Sequence, residues 1–311
     1  MHYTIHQLQV LLKVAETGSI TKAAEALHIT QPAASIQLKK LQEQFQLPLI
    51  EQLGKQVYFT DFGKEILVLA QEMADKMNEI NYKTHLHEGG LAGRLKLATV
   101  STGKYVLPYF LTDFLREHSN VELSMDVTNK AGVINDIENN LADIALVSVL
   151  PDKVGVNHLS ILENRLYFVG NTLRKFNTAA YDSSLFKELT LIYREKGSAT
   201  RMVMEQFIEK KKITISKQLE LTSNEAVKQA LLAGLGYSIM PLIGIRNELR
   251  NKELQIIPIK GLPVKSEWQL IWLKQKKLSP VAEAFIAFTR KNKQLVFNNN
   301  FSWTNNQSFR H

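Results

Sequence analysis

Apolar positions near the start of the chain recur with a helical period. Over residues 5–16, Leu8, Leu11, Leu12 and Ala15 stand at i, i+3, i+4 and i+7, which predicts one apolar helix face ending at Thr17-Gly18. A second helix is expected from Ser19, read as its N-cap, through Ala23-Ala24 to Leu27. A third runs from Thr30 to about Phe45 and tolerates Pro32, because first-turn amides have no partner within the helix. Residues 53–60 read as a short hairpin after a turn glycine, and Thr60-Asp61 caps a long helix. In that helix Ile66, Ala70, Met73, Met77, Ile80 and Thr84 alternate steps of four and three, a heptad seam that asks for a partner helix; packing on its own domain is the alternative.

Beyond Gly89-Gly90 and Gly93, read as a hinge, the pattern becomes strands alternating with helices. Strands are expected at 94–100, 121–127 and 143–149, with helices at 106–118 and 131–140. A second set has strands near 166–169, 189–193, 219–222, 237–240 and 254–257, with helices at 200–211 and 224–233. Residues 268–273 and 280–290 add a strand and a helix. This is an open α/β sheet arranged as two lobes with a cleft between them. The expected division is 1–59, a winged helix-turn-helix; 60–88, a linker and dimerisation helix; 89–93, a hinge; and 94–291, an effector-binding domain. Lobe I of that domain takes 94–163 and 268–291, and lobe II takes 164–267. Residues 292–311, rich in Asn and Ser from Asn298 on, are expected to form a disordered tail.

At 311 residues with 45% apolar composition, the chain has enough material for two or three cores. It has no cysteine, which removes disulfides and thiolate metal sites. No secretion-type leader or bilayer-length apolar run is read in the sequence, so a soluble cytoplasmic protein is expected. The net charge of +8 invites a nucleic-acid reading, but residues 1–59 nearly balance Lys13, Lys22, Lys39, Lys40 and Lys55 against Glu16, Glu25, Glu43 and Glu51. The excess lies largely after residue 240, so bulk charge does not carry the argument.

The residues that carry it lie between Ser19 and Phe45. Ala23 and Ala24 allow two helices to approach, Leu27-His28-Ile29 makes the turn, and Ala34, Leu38, Leu41 and Phe45 point inward. Left outward near the start of the third helix are Gln31, Pro32, Ser35, Ile36 and Lys39, the end of a recognition helix that meets base edges. Gln31 suits adenine, Ser35 either base or phosphate, and Ile36 thymine methyls. Thr30 and the amides after it suit a phosphate, while Lys39 and the wing residue Lys55 neutralise backbone charge. An ordinary three-helix bundle with a solvated face fits the spacing alone equally well.

The run SITKAAEALHITQPAASIQLKKLQEQFQLPLIEQLGKQVYFTDFGKEIL, residues 19–67, resembles the LysR-type transcriptional regulators. The rest of the chain, to about residue 291, is similar to that family's periplasmic-binding-protein-like effector domain. The segments LATVSTGKYVLP, GSATRMVMEQF and LTSNEAVKQALLAGLGYSIMP most resemble regulators of the carbon-fixation (Calvin cycle) operon. The resemblance implies a linker-helix dimer, commonly assembled into tetramers, on AT-rich interrupted dyads of double-stranded DNA. RNA polymerase is a further expected partner. Ile50 stands where the family usually has Phe, and Lys55 where Arg is common, changes that bear on the wing contact.

Three strand-to-helix turns are rich in hydroxyls and free amides: Ser101-Thr102-Gly103-Lys104, Gly197-Ser198-Ala199-Thr200-Arg201 and Ser223-Asn224-Glu225. Ligands of open α/β sheets lie beyond the strand carboxyl ends, where helix dipoles favour anions. An acidic metabolite is the expected effector, with Ser101, Thr102, Ser198, Thr200 and Asn224 donating hydrogen bonds and Arg201 or Lys104 balancing charge. Plain helix capping is the alternative for the hydroxyls, and a surface ion pair for Arg201. Effector binding would shift the packing of the sensor domains and so the spacing of the recognition helices. A solute-binding protein or a metabolic enzyme could use the same two-lobed fold. No cofactor is expected: the eight histidines are scattered, and His85-Leu86-His87 lacks a third ligand. No phosphate-binding loop and no Gly-x-Ser-x-Gly turn nominates an enzyme.

Overall fold

The computed structural model of the chain describes residues 3–53, 56–87, 91–176 and 179–305. The chain divides into two compact units, Met1–Gly89 and Gly90–His311.

In the first unit, α1 (Ile5–Thr17) opens with a reciprocal cap: Gln7 N donates to Thr4 Oγ1, and Thr4 N donates to Gln7 Oε1 at 2.8 Å. It buries Leu8, Val10, Leu11 and Val14, whereas Ala15 is exposed. The apolar face is thus rotated from the one expected, because the β-branched Val10 and Val14 fill the core. Gly18, at φ +64°, ends α1 in a left-handed turn that other residues adopt at a cost. Ser19 does not cap α2 (Ile20–Ala26) with its side chain; instead the Thr17 hydroxyl accepts from Ser19 N and donates within the turn. α3 (Gln31–Gln42) is capped by Thr30, which accepts from Ala33 N at 3.3 Å. β1 (Ile50–Leu53) and β2 (Gln56–Phe59) pair antiparallel as the wing, and the turn glycine Gly54 and the expected wing contact Lys55 lie outside the described residues. α4 (Asp61–His87) follows directly, its first turn held to the wing by Thr60, which donates to Pro48 O and accepts from Gly63 N.

The second unit has a seven-stranded mixed sheet with the order β10-β6-β11-β5-β3-β4, and β9 beside β6. In chain order the elements are β3 (Ala92–Val100), α5 (Leu107–Glu117), β4 (Asn120–Thr128), α6 (Lys130–Glu138), β5 (Ile144–Val147) and β6 (Val156–Asn171). These are followed by β7 (Thr190–Arg194), α7 (Ala199–Lys210), β8 (Lys217–Leu221), α8 (Asn224–Leu232) and β9 (Ser238–Pro241). The chain then continues through α9 (Arg246–Arg250), β10 (Leu254–Ile256), β11 (Val264–Leu273) and α10 (Pro280–Asn300). β7 and β8 form a separate parallel pair, tied to the main sheet by a bridge from Leu191 to Tyr237.

One core packs α5, α6 and α10 against β3, β5 and the near halves of β6 and β11. Two further clusters fill the region of α7, α8, β7 and β9. On β6 the changeover falls between Leu162 and Leu166, and on β11 between Trp268 and Val264. β6 was expected as a four-residue strand, but it is sixteen residues long. Glu163-Asn164-Arg165 interrupts its apolar pattern because the strand there crosses from one core to the other; Arg165 pairs with Glu163, and Asn164 donates to Ser266 Oγ on β11.

The tail expected beyond residue 291 is instead ordered through Asn305. α10 continues to Asn300, and a 3₁₀ turn follows at Ser302–Asn305. Val296 and Phe301 are buried in the first core, an anchoring that the many Asn residues around them conceal in composition. The hinge expected at 89–93 begins outside the described residues, and β3 has already started at Ala92.

Candidate DNA interface and effector cleft

In the first unit, α2 and α3 meet α1 through Ala23, Ala24 and Ala34, all with essentially no exposed surface, so the helix axes approach closely. His28, at φ +55°, reverses the chain between them. Leu38 and Leu41 continue the inward face of α3, with Phe45 partly buried beyond its end. This leaves Thr30, Gln31, Pro32 and Lys39 exposed and Ser35 half-buried. Ile36 is 52% exposed, an apolar side chain in water on an otherwise polar face. The array offers an amide, a hydroxyl, an apolar group and a cation along one ridge, which suits groove edges and flanking phosphates. Lys40, beyond the start of the helix and not among the expected contacts, is also exposed and extends the ridge.

The heptad positions on α4 divide. Ala70 is 2% exposed and Ile66 is partly buried, both within the core of their own unit, so these two do not belong to an open seam. They lie where the helix still rests on α1. Further along, Met73 is 45% and Ile80 65% exposed, and Met77 is half-buried. The side chains of Thr84, His85 and His87 lie outside the described residues.

In the second unit a small cleft, with an empty volume of about 190 Å³ including its mouth, brings Ser101 and Thr102 opposite Ser198 and Thr200. Asn129, Lys130 and Arg194 line it as well. Each of the three stands at the end of a strand or the start of a helix, the same positions as the hydroxyls, and that position is the sequence signal that marks them. Asn129 Oδ1 accepts from Gly132 N and so caps α6. Lys130 Nζ donates to Leu150 O at 3.0 Å, and burial pulls its pKa below the usual lysine value, with Asp152 opposing. Arg194 is buried, its Nε and Nη2 donating to the Glu195 carboxylate at 2.8 Å each.

Three expected effector residues are placed elsewhere. The Arg201 guanidinium is taken up by Glu205, Glu220 and the Arg194 carbonyl, which fastens the start of α7 to β7 and β8. Hydrogen bonds to Glu205, then to Glu220, raise its pKa further, so it is a structural ion-pair hub. Lys104 Nζ sits 5.2 Å from the centroid of the Tyr105 ring, and the residue does not line the cleft. Asn224 is 1% exposed at the start of α8, against Gly244 and Tyr105 rather than in the cleft. Helix starts alike in composition stand at different strand ends: α7 follows β7 and α8 follows β8, and of the two only the start of α7 lines the cleft.

A winged helix-turn-helix reader followed by a two-lobed sensor defines a ligand-responsive transcription regulator. Residues 5–64 match the bacterial regulatory helix-turn-helix model of the lysR family, and residues 88–294 match the LysR substrate binding domain. The chain belongs to the LysR family of DNA-binding transcription regulators. It is 33% identical over 288 residues to the transcriptional activator CmpR of Synechocystis, covering 92% of this chain and 94% of that one. To the RuBisCO operon transcriptional regulator of Allochromatium vinosum it is 35% identical over 289 residues, 93% and 96% of the two chains. The regulatory domain of Synechocystis CcmR, solved in complex with 2-PG (2-phosphoglycolate), superposes with a TM-score of 0.62 at 30% identity, covering 65% of this chain and 98% of that one. Full-length CbnR, solved with its target DNA, shares the fold at 21% identity with a TM-score of 0.63, covering 93% of this chain and 99% of that one. These relatives are transcription regulators. No helix among the described residues is long and apolar enough to cross a membrane.

Proposed function

We propose that this regulator controls carbon-fixation genes from an operator of interrupted dyad symmetry in the cytoplasm, under the control of a small anionic metabolite of the phosphorylated-acid class. The observation that carries the reading is the cleft. Ser101, Thr102, Ser198 and Thr200 supply hydroxyls, and Lys130 and Arg194 supply two cations, at the ends of strands from both lobes. Convergent hydroxyls, the Lys130 ammonium and a guanidinium held in place by Glu195 suit a small ligand bearing phosphate or carboxylate groups. 2-Phosphoglycolate, the ligand of the CcmR regulatory domain, has that chemistry. The exposed Met73 and Ile80 of α4 support pairing with a second copy, and thence a dimer or tetramer that sets the spacing of two recognition helices. RNA polymerase is the downstream partner of such a regulator. The functional division at 59, 88 and 93, with lobe I and lobe II meeting at 163/164 and 267/268, fits the changeover between the cores on β6 and β11.

Gln31→Ala tests the reader. Losing one bidentate base contact is expected to weaken binding to the DNA upstream of the gene by about 1–3 kcal/mol per half-site and to relax specificity there. Fluorescence anisotropy at fixed near-physiological salt, against scrambled competitor, measures it. Equal, tight and competitor-resistant binding of both proteins would remove Gln31 from the interface.

The sensor carries its own pH dependence. Only the ammonium form of Lys130 attracts an anion, and burial lowers its pKa. Affinity for 2-phosphoglycolate therefore falls as the pH rises through that lowered pKa, earlier than for a solvent-exposed lysine. Titration calorimetry between neutral and alkaline pH checks the sign. Lys130→Met is expected to bind more weakly and to flatten that part of the profile.

A further inference from the structure

The last described residues touch both lobes. Phe301 is 2% exposed in the lobe I core, its ring stacked on Phe110 at 6.4 Å and edge-on to Tyr109 at 5.2 Å. Two positions on, Trp303 packs against the lobe II cluster, with the Arg246 guanidinium 4.7 Å from its ring centroid. Arg246 Nε is buried without a hydrogen-bond partner, so the indole face is the favourable contact open to that edge of the cation. Arg165, at the changeover on β6, donates to Thr304 O at 3.1 Å and to Asn305 Oδ1 at 3.0 Å. The indole N–H donates to Asn300 O, which fixes the ring relative to the end of α10.

The neighbouring seam points the same way. Ile243, just before Arg246, rests on the lobe I core. Tyr105 Oη donates across the seam to Glu225 Oε2 at 3.2 Å. Tyr105 also ends the short loop that carries Ser101 and Thr102 into the cleft. Across the cleft itself the lobes are close: a Cβ at Gly197 would stand 3.2 Å from Ala131 Cβ, and Thr102, Ser198 and Thr200 are all buried. Anything that enters must first part the lobes, and parting them breaks either the contacts of Phe301 on one side or those of Trp303 on the other.

We propose that residues 301–305 form an interlobe clasp that holds the cleft in this closed arrangement and so sets how fast the cleft opens. The clasp lies beyond residue 294, where the match to the substrate-binding domain ends. It is built on two anchors with a short link. Phe301 is fixed in one lobe and Trp303 in the other, with one residue between them, too little chain to absorb a lobe movement of several ångströms. A tether of this kind stabilises the closed state whether or not a ligand is present. It therefore changes rates of entry and exit more than affinity.

The test is amide hydrogen exchange on the full-length protein without added ligand, comparing wild type with Trp303→Ala and Trp303→Phe. Exchange at 99–104 and 196–201 is expected to accelerate about tenfold in Trp303→Ala, with β4 unchanged, and to return towards wild type in Trp303→Phe, which keeps a ring beneath Arg246. Wild-type exchange at the cleft segments, or acceleration spread evenly over the second unit, would overturn the clasp. A second arm rests on the effector reading: stopped-flow binding of 2-phosphoglycolate should show on and off rates rising together in Trp303→Ala, with Kd within about threefold. Unchanged rates would count against the clasp. If wild type does not bind 2-phosphoglycolate at all, the effector reading fails while the exchange arm still decides the clasp.

Discussion

Gly63→Ala is expected to destabilise the DNA-binding unit by about 3 kcal/mol, the upper range for forcing an atom into packed structure. A Cβ at Gly63 would lie 1.9 Å from the carbonyl oxygen of Leu49 and 2.8 Å from its carbon, and both are backbone. Neither can rotate away, so the first turn of α4 must lift off the strand that leads into the wing. Lifting it also breaks the Thr60 bonds to Pro48 O and from Gly63 N, which seat the helix on the wing. Chemical denaturation followed by circular dichroism should show an early transition for the N-terminal unit, with DNA affinity lost alongside it. Gly155→Ala is the control: its nearest neighbour is the side chain of Lys274 at 4.0 Å, and no change beyond about 0.5 kcal/mol is expected.

Arg194→Met is expected to lower affinity for 2-phosphoglycolate about a hundredfold, or roughly 2.7 kcal/mol, the scale of losing charge-assisted hydrogen bonds at a buried site. Met keeps much of the volume while removing one of the two cations in the cleft. The Glu195 carboxylate, which Arg194 neutralises through two 2.8 Å bonds, would then repel an incoming anion. Arg201→Met separates this from general damage to the start of α7. Arg194 lines the cleft and Arg201 does not, so for Arg201→Met affinity should stay within about threefold of wild type. Calorimetry on both proteins measures the difference, and equal losses would remove Arg194 from the site.

The reader was legible in the sequence because its determinants are local. Ala23, Ala24, Ala34, Leu38 and Leu41 fall on one face by helical spacing, and whatever remains on α3 is exposed by default. The start of α4 and the second strand of the wing were legible for the same reason, through turn and cap residues, but the first wing strand was not: the expected hairpin begins at Leu53, where β1 already ends. The course of β6 was not. A strand that passes from one core to another loses its alternation at the crossing, and Glu163-Asn164-Arg165 reads as a loop until strand pairing with β11 is known.

The cleft was half legible. Helix-start hydroxyls name themselves, but which starts converge depends on sheet order. Asn224 shares the helix-start chemistry of Ser198 yet lies buried against Tyr105 and Gly244. Arg201 was chosen as the balancing charge, but seven residues earlier Arg194 holds the place in the cleft, as the last residue of β7 rather than one beyond it. Long-range partners such as Glu220 decided the difference. The end of α10 was hidden by its asparagines, since composition does not register that Phe301 and Trp303 have cores waiting for them.

The central claim is that the cleft controls the reader. It is tested most directly by nuclease footprinting of the full-length protein on the DNA upstream of the gene, with and without 2-phosphoglycolate, alongside Arg194→Met. The account predicts a protected region that changes in extent or spacing when 2-phosphoglycolate is added to wild type, and that does not change for Arg194→Met at the same concentration. A wild-type footprint indifferent to the ligand, although calorimetry shows it bound, would contradict control of DNA recognition through this cleft.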